Sequence, residues 1–228
     1  MGKIVLATII ISGSAKWLLK VGGNKEKWYG SDRIFMYVMT VFGAMTVNYS
    51  EQCTEYGWVV SNLRLLAGCL LAGGLLSAAY MDRRNCWVYN YVWWWCLPWA
   101  GILGLTAGGG FHGIVAVLVF VMLQQLLFSR MYGKADCHAF SVCALAECGN
   151  AVGMVGFLLQ MFLSVVLLTI VQLFRGNVTP RGRLREPQPF IPYIITAFFS
   201  VTFLESVFRT TYIYAETVAY LFKKCYSN

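Results

Sequence analysis

Four carboxylates carry most of the chemical possibilities of this chain. Asp82, Asp136, Glu147 and Glu205 each fall in or beside a strongly apolar stretch. Ionisable groups at membrane depth are costly to keep, so they tend to mark function. Asp82 closes one apolar stretch in Tyr80-Met81-Asp82-Arg83-Arg84-Asn85, and Asp136 stands in Gly133-Lys134-Ala135-Asp136, just before another. The two are 54 positions apart in sequence, yet the topology developed below puts them at one depth and on one side. That geometry permits a carboxylate pair. Two carboxyls sharing a desolvated site cannot both ionise comfortably, so one retains its proton. The ionised member can then activate a water while the protonated one polarises a peptide carbonyl, with no metal and no covalent intermediate. The competing reading makes each aspartate an interfacial counter-charge to its neighbouring Arg or Lys.

The elements that must position such a pair are legible in the composition. Of 228 residues, 58% are hydrophobic and only 12% charged, with a mean hydropathy of +0.61. An ordinary soluble domain carries about 25% charge, and too few charges are present here to cover a soluble core. Disorder and a solvated basic nucleic-acid-binding domain are excluded on the same ground. The expected class is all-α: a polytopic transmembrane helical bundle of about 6–8 membrane segments. Residues 58–80, 88–106, 111–128, 151–174 and 189–208 read as spans, and Arg64 near the start of the first is expected to snorkel. Residues 4–21, which include Lys16 and Lys20, either span or lie in the interface, and read as an uncleaved anchor rather than a signal peptide. Residues 34–49 are short for a span, and 139–149 make only half of one. The tail, 210–226, reads as an amphipathic interfacial helix or a short extra span.

The net charge of +8, from 18 Lys and Arg against 10 Asp and Glu, is first of all topological, because Lys and Arg accumulate in cytoplasmic loops. They cluster at Arg83-Arg84, at Arg130 and Lys134, and at Arg175, Arg181, Arg183 and Arg185. These loops share a side only if 139–149 crosses as its own helix, with Gly149-Asn150 as the turn. In that topology all three are cytoplasmic, together with Lys25, Lys27 and Arg33. The eight cysteines form no C-x-x-C pair and read mostly as small hydrophobes.

Three local patterns point further. Asp82-Arg83-Arg84-Asn85-Cys86-Trp87-Val88-Tyr89-Asn90 resembles the first aspartate segment of type IV prepilin peptidases, with Val88-Tyr89-Asn90 at the place of an Ile-Pro-Asn-like triplet. Gly133-Lys134-Ala135-Asp136-Cys137-His138 resembles that family's G-x-G-D-x-K motif. Pro187-Gln188-Pro189-Phe190-Ile191-Pro192-Tyr193 resembles the Pro-Phe-x-Pro-Phe start of its last span. Tyr89 stands for proline, Ala135 for the second glycine and His138 for lysine, while both carboxylates are kept. The resemblance covers roughly residues 58–208 and implies a membrane-embedded aspartic peptidase that cuts the leader from pilin-like precursors at the cytoplasmic face. It makes Asp82 and Asp136 the catalytic pair. Asn90, Gly133, Lys134, His138 and Glu147 are the candidates for substrate binding or support. Bifunctional members carry a zinc loop with paired cysteines; none exists here, which implies a peptidase-only form like the short enzymes serving Flp-type pili. Presenilin-type proteases share the second motif, but their Tyr-Asp and Pro-Ala-Leu signatures are missing.

The chain accordingly divides into N-terminal membrane segments over 1–56, whose crossings the sequence leaves open, a peptidase-like domain over 57–208, and an amphipathic tail over 209–228. The expected location is the cell membrane, multi-pass, with the site facing the cytoplasm. The expected partners are a membrane-inserted prepilin-like substrate and the bilayer, with no nucleic acid and no cofactor. Glu147 lies eleven positions beyond Asp136, about 16 Å along a helix and on nearly the same face. It is too distant for the dyad, and either lines the same groove or balances a far-side charge. A carboxyl hydrogen-bonded inside the bundle is the plainer account of both Glu147 and Glu205. Cys137, His138, Cys143 and Cys148 cannot close a tetrahedral cage from one helix, so no metal is expected. His138 either adjusts Asp136, contacts substrate, or is a solvated interfacial histidine. Gly108-Gly109-Gly110 reads as a tight outer turn, and Gly68, Ala72, Gly73 and Gly74 favour close helix packing. Two other functions fit the same residues: an ion or proton-coupled transporter using Asp136, Glu147 and Glu205, though no internal repeat supports it, and a catalytically degenerate pilin-assembly protein.

Overall fold

The structure, a computed structural model, describes residues 2–23, 30–52, 57–106, 111–126, 128–130, 133–147, 153–175 and 188–226. Lys25, Lys27, Gly108-Gly109-Gly110, Cys148, Gly149-Asn150, Arg181, Arg183, Arg185 and Pro187 lie outside the described residues. Among the described residues all regular structure is helical: α1 (Gly2–Val21), α2 (Gly30–Gln52), α3 (Trp58–Asn85), α4 (Asn90–Thr106), α5 (Phe111–Leu126), a 3-10 turn (Phe128–Arg130), α6 (Lys134–Glu147), α7 (Gly153–Phe174) and α8 (Ile191–Tyr226). Four stretches are long and apolar enough to cross a membrane: α1, α3, Val155–Phe174 of α7 and Ile191–Arg209 of α8. The chain is a helical bundle of membrane type, as its composition predicts.

The centre of the bundle is α3, which packs against α1, α2, α4 and α8. Small residues make this possible, since helices without a hydrophobic drive between them associate by close backbone approach. A methyl group on Gly68 would meet Val47 of α2 at 2.8 Å, and one on Gly74 would meet Trp95 of α4 at 3.0 Å. One on Gly73 would collide with Ser14 of α1 and come within 2.9 Å of the Ile11 carbonyl. Three glycines within two turns thus admit three different neighbours. The α1 contact is also polar: the Ser77 hydroxyl donates to the Gly73 carbonyl at 2.8 Å and reaches the Ala15 carbonyl of α1 at 3.3 Å. Gly73→Val is expected to lever α1 off α3 and cost about 1–3 kcal/mol of stability. A lowered thermal midpoint in detergent checks it; an unchanged midpoint would contradict the packing account.

Several boundaries differ from the sequence reading. The span over 58–80 continues as helix to Asn85, so Asp82 lies inside its last turn. It stops at Cys86, whose backbone is left-handed at φ 49° and whose N–H donates to the Asp82 carbonyl at 2.8 Å. The segment thought short for a span, 34–49, is a 23-residue helix. The tail is not a separate element: α8 runs 36 residues without a break, because no Gly or Pro between Phe208 and Tyr226 interrupts it. Arg64 does not snorkel. It is buried and donates to the Leu103 carbonyl at 2.9 Å and to the Thr106 hydroxyl at 2.8 Å, in the last turn of α4. Carbonyls there lack intrahelical donors, and the start of α3 meets the end of α4, so the guanidinium finds its partners inside.

Short as it is, α6 is enclosed by α4, α5, α7 and α8. Nine of its fourteen residues are buried, Cys137 and Cys143 among them. A helix so covered by protein has no need of lipid-spanning length.

Candidate active site

Asp82 is buried, 6% exposed, in the last turn of α3. What faces it is the beginning of α8. The Phe190 carbonyl accepts from the Tyr193 N–H at 3.0 Å and the Ile194 N–H at 3.2 Å, so Phe190 caps this helix and the first N–H groups have no partner within it. The Asp82 carboxylate supplies one: its Oδ2 accepts from the Ile191 N–H at 3.0 Å, and the Phe190 N–H is bonded to the same carboxyl. Pro192 stands in the first turn of α8, where a missing N–H costs little. A carboxylate 109 positions earlier in the chain therefore caps α8, and the positive end of the helix favours its anionic form.

Asp136 is seated on a helix start of its own. The Gly133 carbonyl accepts from the Cys137 N–H at 3.1 Å, so Gly133 caps α6. The Asp136 Oδ2 reaches back to accept from the Gly133 N–H at 3.2 Å, one half of a capping box. A methyl group on Gly133 would lie 3.2 Å from that oxygen, which glycine leaves clear. Asp136 was expected just before the short helix; it lies in the first turn, and the spacing Gly-Lys-Ala-Asp is what aims it.

Both carboxylates line one cleft of about 820 Å³. Asn90, Gly133, Lys134 and His138, proposed as supports from sequence, line it as well. Trp93 and Gln188 do too and were not singled out. For Trp93 a signal existed, since it follows Asn90 by three positions and shares its face of α4. The His138 ring lies 6.1 Å from that of Trp93, and its Nδ1 is 3.4 Å from Gln125 Nε2 of α5. Gln188 Oε1 accepts from Gln172 Nε2 at 3.2 Å, which ties the approach to α8 to the end of α7. Tyr89, at the place of the expected proline, is partly exposed and stacks on Tyr91 at 5.8 Å, and the Tyr91 hydroxyl donates to the Leu18 carbonyl of α1 at 2.8 Å. Nearby, Arg83 Nε pairs with Asp32 Oδ1 at 3.0 Å, joining the start of α2 to the end of α3.

Hydrogen-bond partners, rather than burial, distinguish the two acids. Burial pushes the Asp136 carboxyl up to about 7; the Asp82 charge adds to this, and the Gly133 N–H pulls back against it. Near neutral pH Asp136 is therefore poised to hold a proton. Asp82 holds the N–H groups of α8, which suit a carboxylate rather than a carboxylic acid. One acid and one base, facing the same cleft, can together activate a water and polarise a carbonyl.

Glu147 is not part of this cleft. It is buried at the other end of α6, accepts from the Thr202 hydroxyl at 3.1 Å, and lines a separate cavity of about 50 Å³ together with Arg64. Helical periodicity returns it to the same face but about 16 Å deeper. It is a carboxyl hydrogen-bonded inside the bundle, away from the pair, and the supporting role at the dyad is withdrawn. Against known proteins, the chain matches no family model, no curated protein and no solved structure.

Proposed function

We propose that this protein is a membrane-embedded aspartic endopeptidase of the prepilin-peptidase kind, cleaving the leader of a pilin-like, Flp-type precursor at the cytoplasmic face of the cell membrane. The observation that carries the reading is the shared cleft: two carboxylates from distant segments, each seated on a helix N-terminus, face one space of about 820 Å³. In this scheme ionised Asp82 takes a proton from water as the oxygen attacks the peptide carbonyl carbon. Protonated Asp136 donates to the carbonyl oxygen; as the C–N bond breaks, the proton gained by Asp82 goes to the departing amine and one hydroxyl of the diol returns its proton to Asp136. Trp87, Val88 and Trp93 give the cleft apolar walls for the substrate helix, and Lys134 and His138 provide polar contacts. Co-expression with a panel of candidate precursors, read by the mass of the mature N-terminus, is the direct test. Intact leaders throughout would sink the peptidase reading, and precursor retained without processing would favour a degenerate assembly protein.

A pH dependence follows. Above about 7 Asp136 loses the proton it must donate, so kcat/KM should fall roughly tenfold per pH unit on the alkaline side. A rate flat from pH 6 to pH 9 would contradict the assignment. The same shift acts on stability. With its carboxyl raised from 3.8 to about 7, the folded protein keeps a proton that the unfolded chain releases. This contribution is full below about pH 4, is lost as pH rises through about 7, and should be absent in Asp136→Asn.

Of the acids on which the transporter reading rests, Asp136, Glu147 and Glu205, Glu147 is buried apart from the cleft, at the smaller cavity. Ion or proton flux into proteoliposomes that is lost in Glu147→Gln would favour it.

A further inference from the structure

Away from the cleft, α1 and α2 enclose a cavity of about 160 Å³ whose lining includes Ser12 and Lys16 from α1 and Arg33 and Tyr37 from α2. Each pair is four residues apart and so lies on one helix face; the two faces meet across the cavity. A second groove of about 500 Å³ shares Tyr37 and continues along Val38, Val41, Phe42 and Met45. We propose that this face binds one anionic phospholipid, its phosphate held between Lys16 and Arg33 and one acyl chain lying along Val38, Val41, Phe42 and Met45.

The dimensions and the order of polarity both fit a lipid. From Arg33 to Met45 is twelve residues, about 18 Å of helix, against about 15 Å for the hydrocarbon depth of one leaflet. Two cations stand at one end, an amphipathic phenol follows, and only apolar side chains come after it. Tyr is favoured at this boundary, where one end is apolar and the other wet. The depth is fixed independently. Asp32, next to Arg33, pairs with Arg83 at the end of α3, so the cationic end lies at the same end of the bundle as Asp82. Val38, Val41 and Met45 are exposed, at 60%, 47% and 44%, so the chain-binding face is open to the bilayer. Charge complementarity selects the occupant: an apolar partner helix would use the groove and leave the two cations without a role, and a free phosphate would use the cations and leave the groove without one. A basic pocket between membrane helices joined to an apolar groove serves both halves of a phospholipid. This inference needs only that the bundle sits in a membrane and is independent of the peptidase reading.

The test uses the full chain purified in dodecyl maltoside and titrated separately with phosphatidylglycerol, phosphatidylcholine and glycerol 3-phosphate, with retained ligand read by native mass spectrometry. One phosphatidylglycerol per chain is expected, bound at least about tenfold more tightly than phosphatidylcholine, with no retention of glycerol 3-phosphate. The K16Q/R33Q double variant should lose about 30-fold in phosphatidylglycerol affinity, from about five- to sixfold per cation, and bind phosphatidylcholine as before. The charge-preserving K16R/R33K variant should bind like the native chain, which separates charge from any change in folding. Equal retention of the two lipids, or K16Q/R33Q binding unchanged, would overturn the proposal. So would loss of binding in K16R/R33K, or glycerol 3-phosphate held as tightly as the lipid, which would mark a free-anion site.

Discussion

Asp136→Asn is expected to reduce precursor cleavage by at least about 10³-fold while leaving the protein folded. The side-chain oxygen of asparagine can still accept from the Gly133 N–H that Asp136 holds at 3.2 Å, so the start of α6 keeps its cap. What is lost is the acidic proton, because an amide cannot deliver one to the carbonyl oxygen under attack. Asp82→Asn should lose as much activity, since an amide cannot take a proton from water, and its oxygen still accepts from the Ile191 N–H. Asp82→Ala makes the contrast informative. It removes the acceptor at the start of α8 as well as the base, and should cost about 1 kcal/mol of stability beyond the loss of activity. Cleavage by either Asn variant at near the native rate would end the two-carboxylate account. A collapse of folding in both would instead make the acids structural, as counter-charges at the bundle's mouth.

The aspartates were visible in the sequence because acids are scarce, yet the groups that hold them were not. Asp82 rests on the backbone N–H of Ile191 and Asp136 on that of Gly133, and backbone donors leave no trace in residue type. The proline-rich run before α8 marked where a helix begins, and only the fold shows that the helix begins against Asp82. For α2, hydropathy counts Asp32 as a penalty, although its carboxylate is paired with Arg83; the helix is therefore longer than its apolar stretch. Glu147 shows the converse limit. Periodicity names a face correctly but says nothing of what lies at each depth along it, and one turn pattern cannot distinguish a shared groove from a second cavity. The change of pattern near Phe208 was read as the end of an element, whereas in α8 it is a change in composition along one helix.

Arg64→Ala is expected to cost about 2–4 kcal/mol of stability. Arg64 is 3% exposed, and its Nη1 donates to the Leu103 carbonyl at 2.9 Å and to the Thr106 hydroxyl at 2.8 Å. Alanine leaves that carbonyl without its donor in the last turn of α4. Glu147 lines the same cavity as Arg64 and is held instead by the Thr202 hydroxyl at 3.1 Å. The lost hydrogen bonds and the lost packing of the long side chain make up the cost. Glu147 accepts from Thr202 rather than from Arg64, so Arg64→Ala combined with Glu147→Gln should cost the sum of the two single variants to within about 0.5 kcal/mol. Arg64→Lys should cost less than Arg64→Ala but not restore native stability, because an ammonium keeps the stem packing and cannot reproduce the fork of a guanidinium. Unfolding in detergent, followed by loss of helicity, gives these differences. An Arg64→Ala protein within about 1 kcal/mol of the native chain would contradict the account of the buried guanidinium. Precursor cleavage by Glu147→Gln should stay within about twofold of native, because Glu147 neither lines the cleft of Asp82 and Asp136 nor touches the residues that hold them.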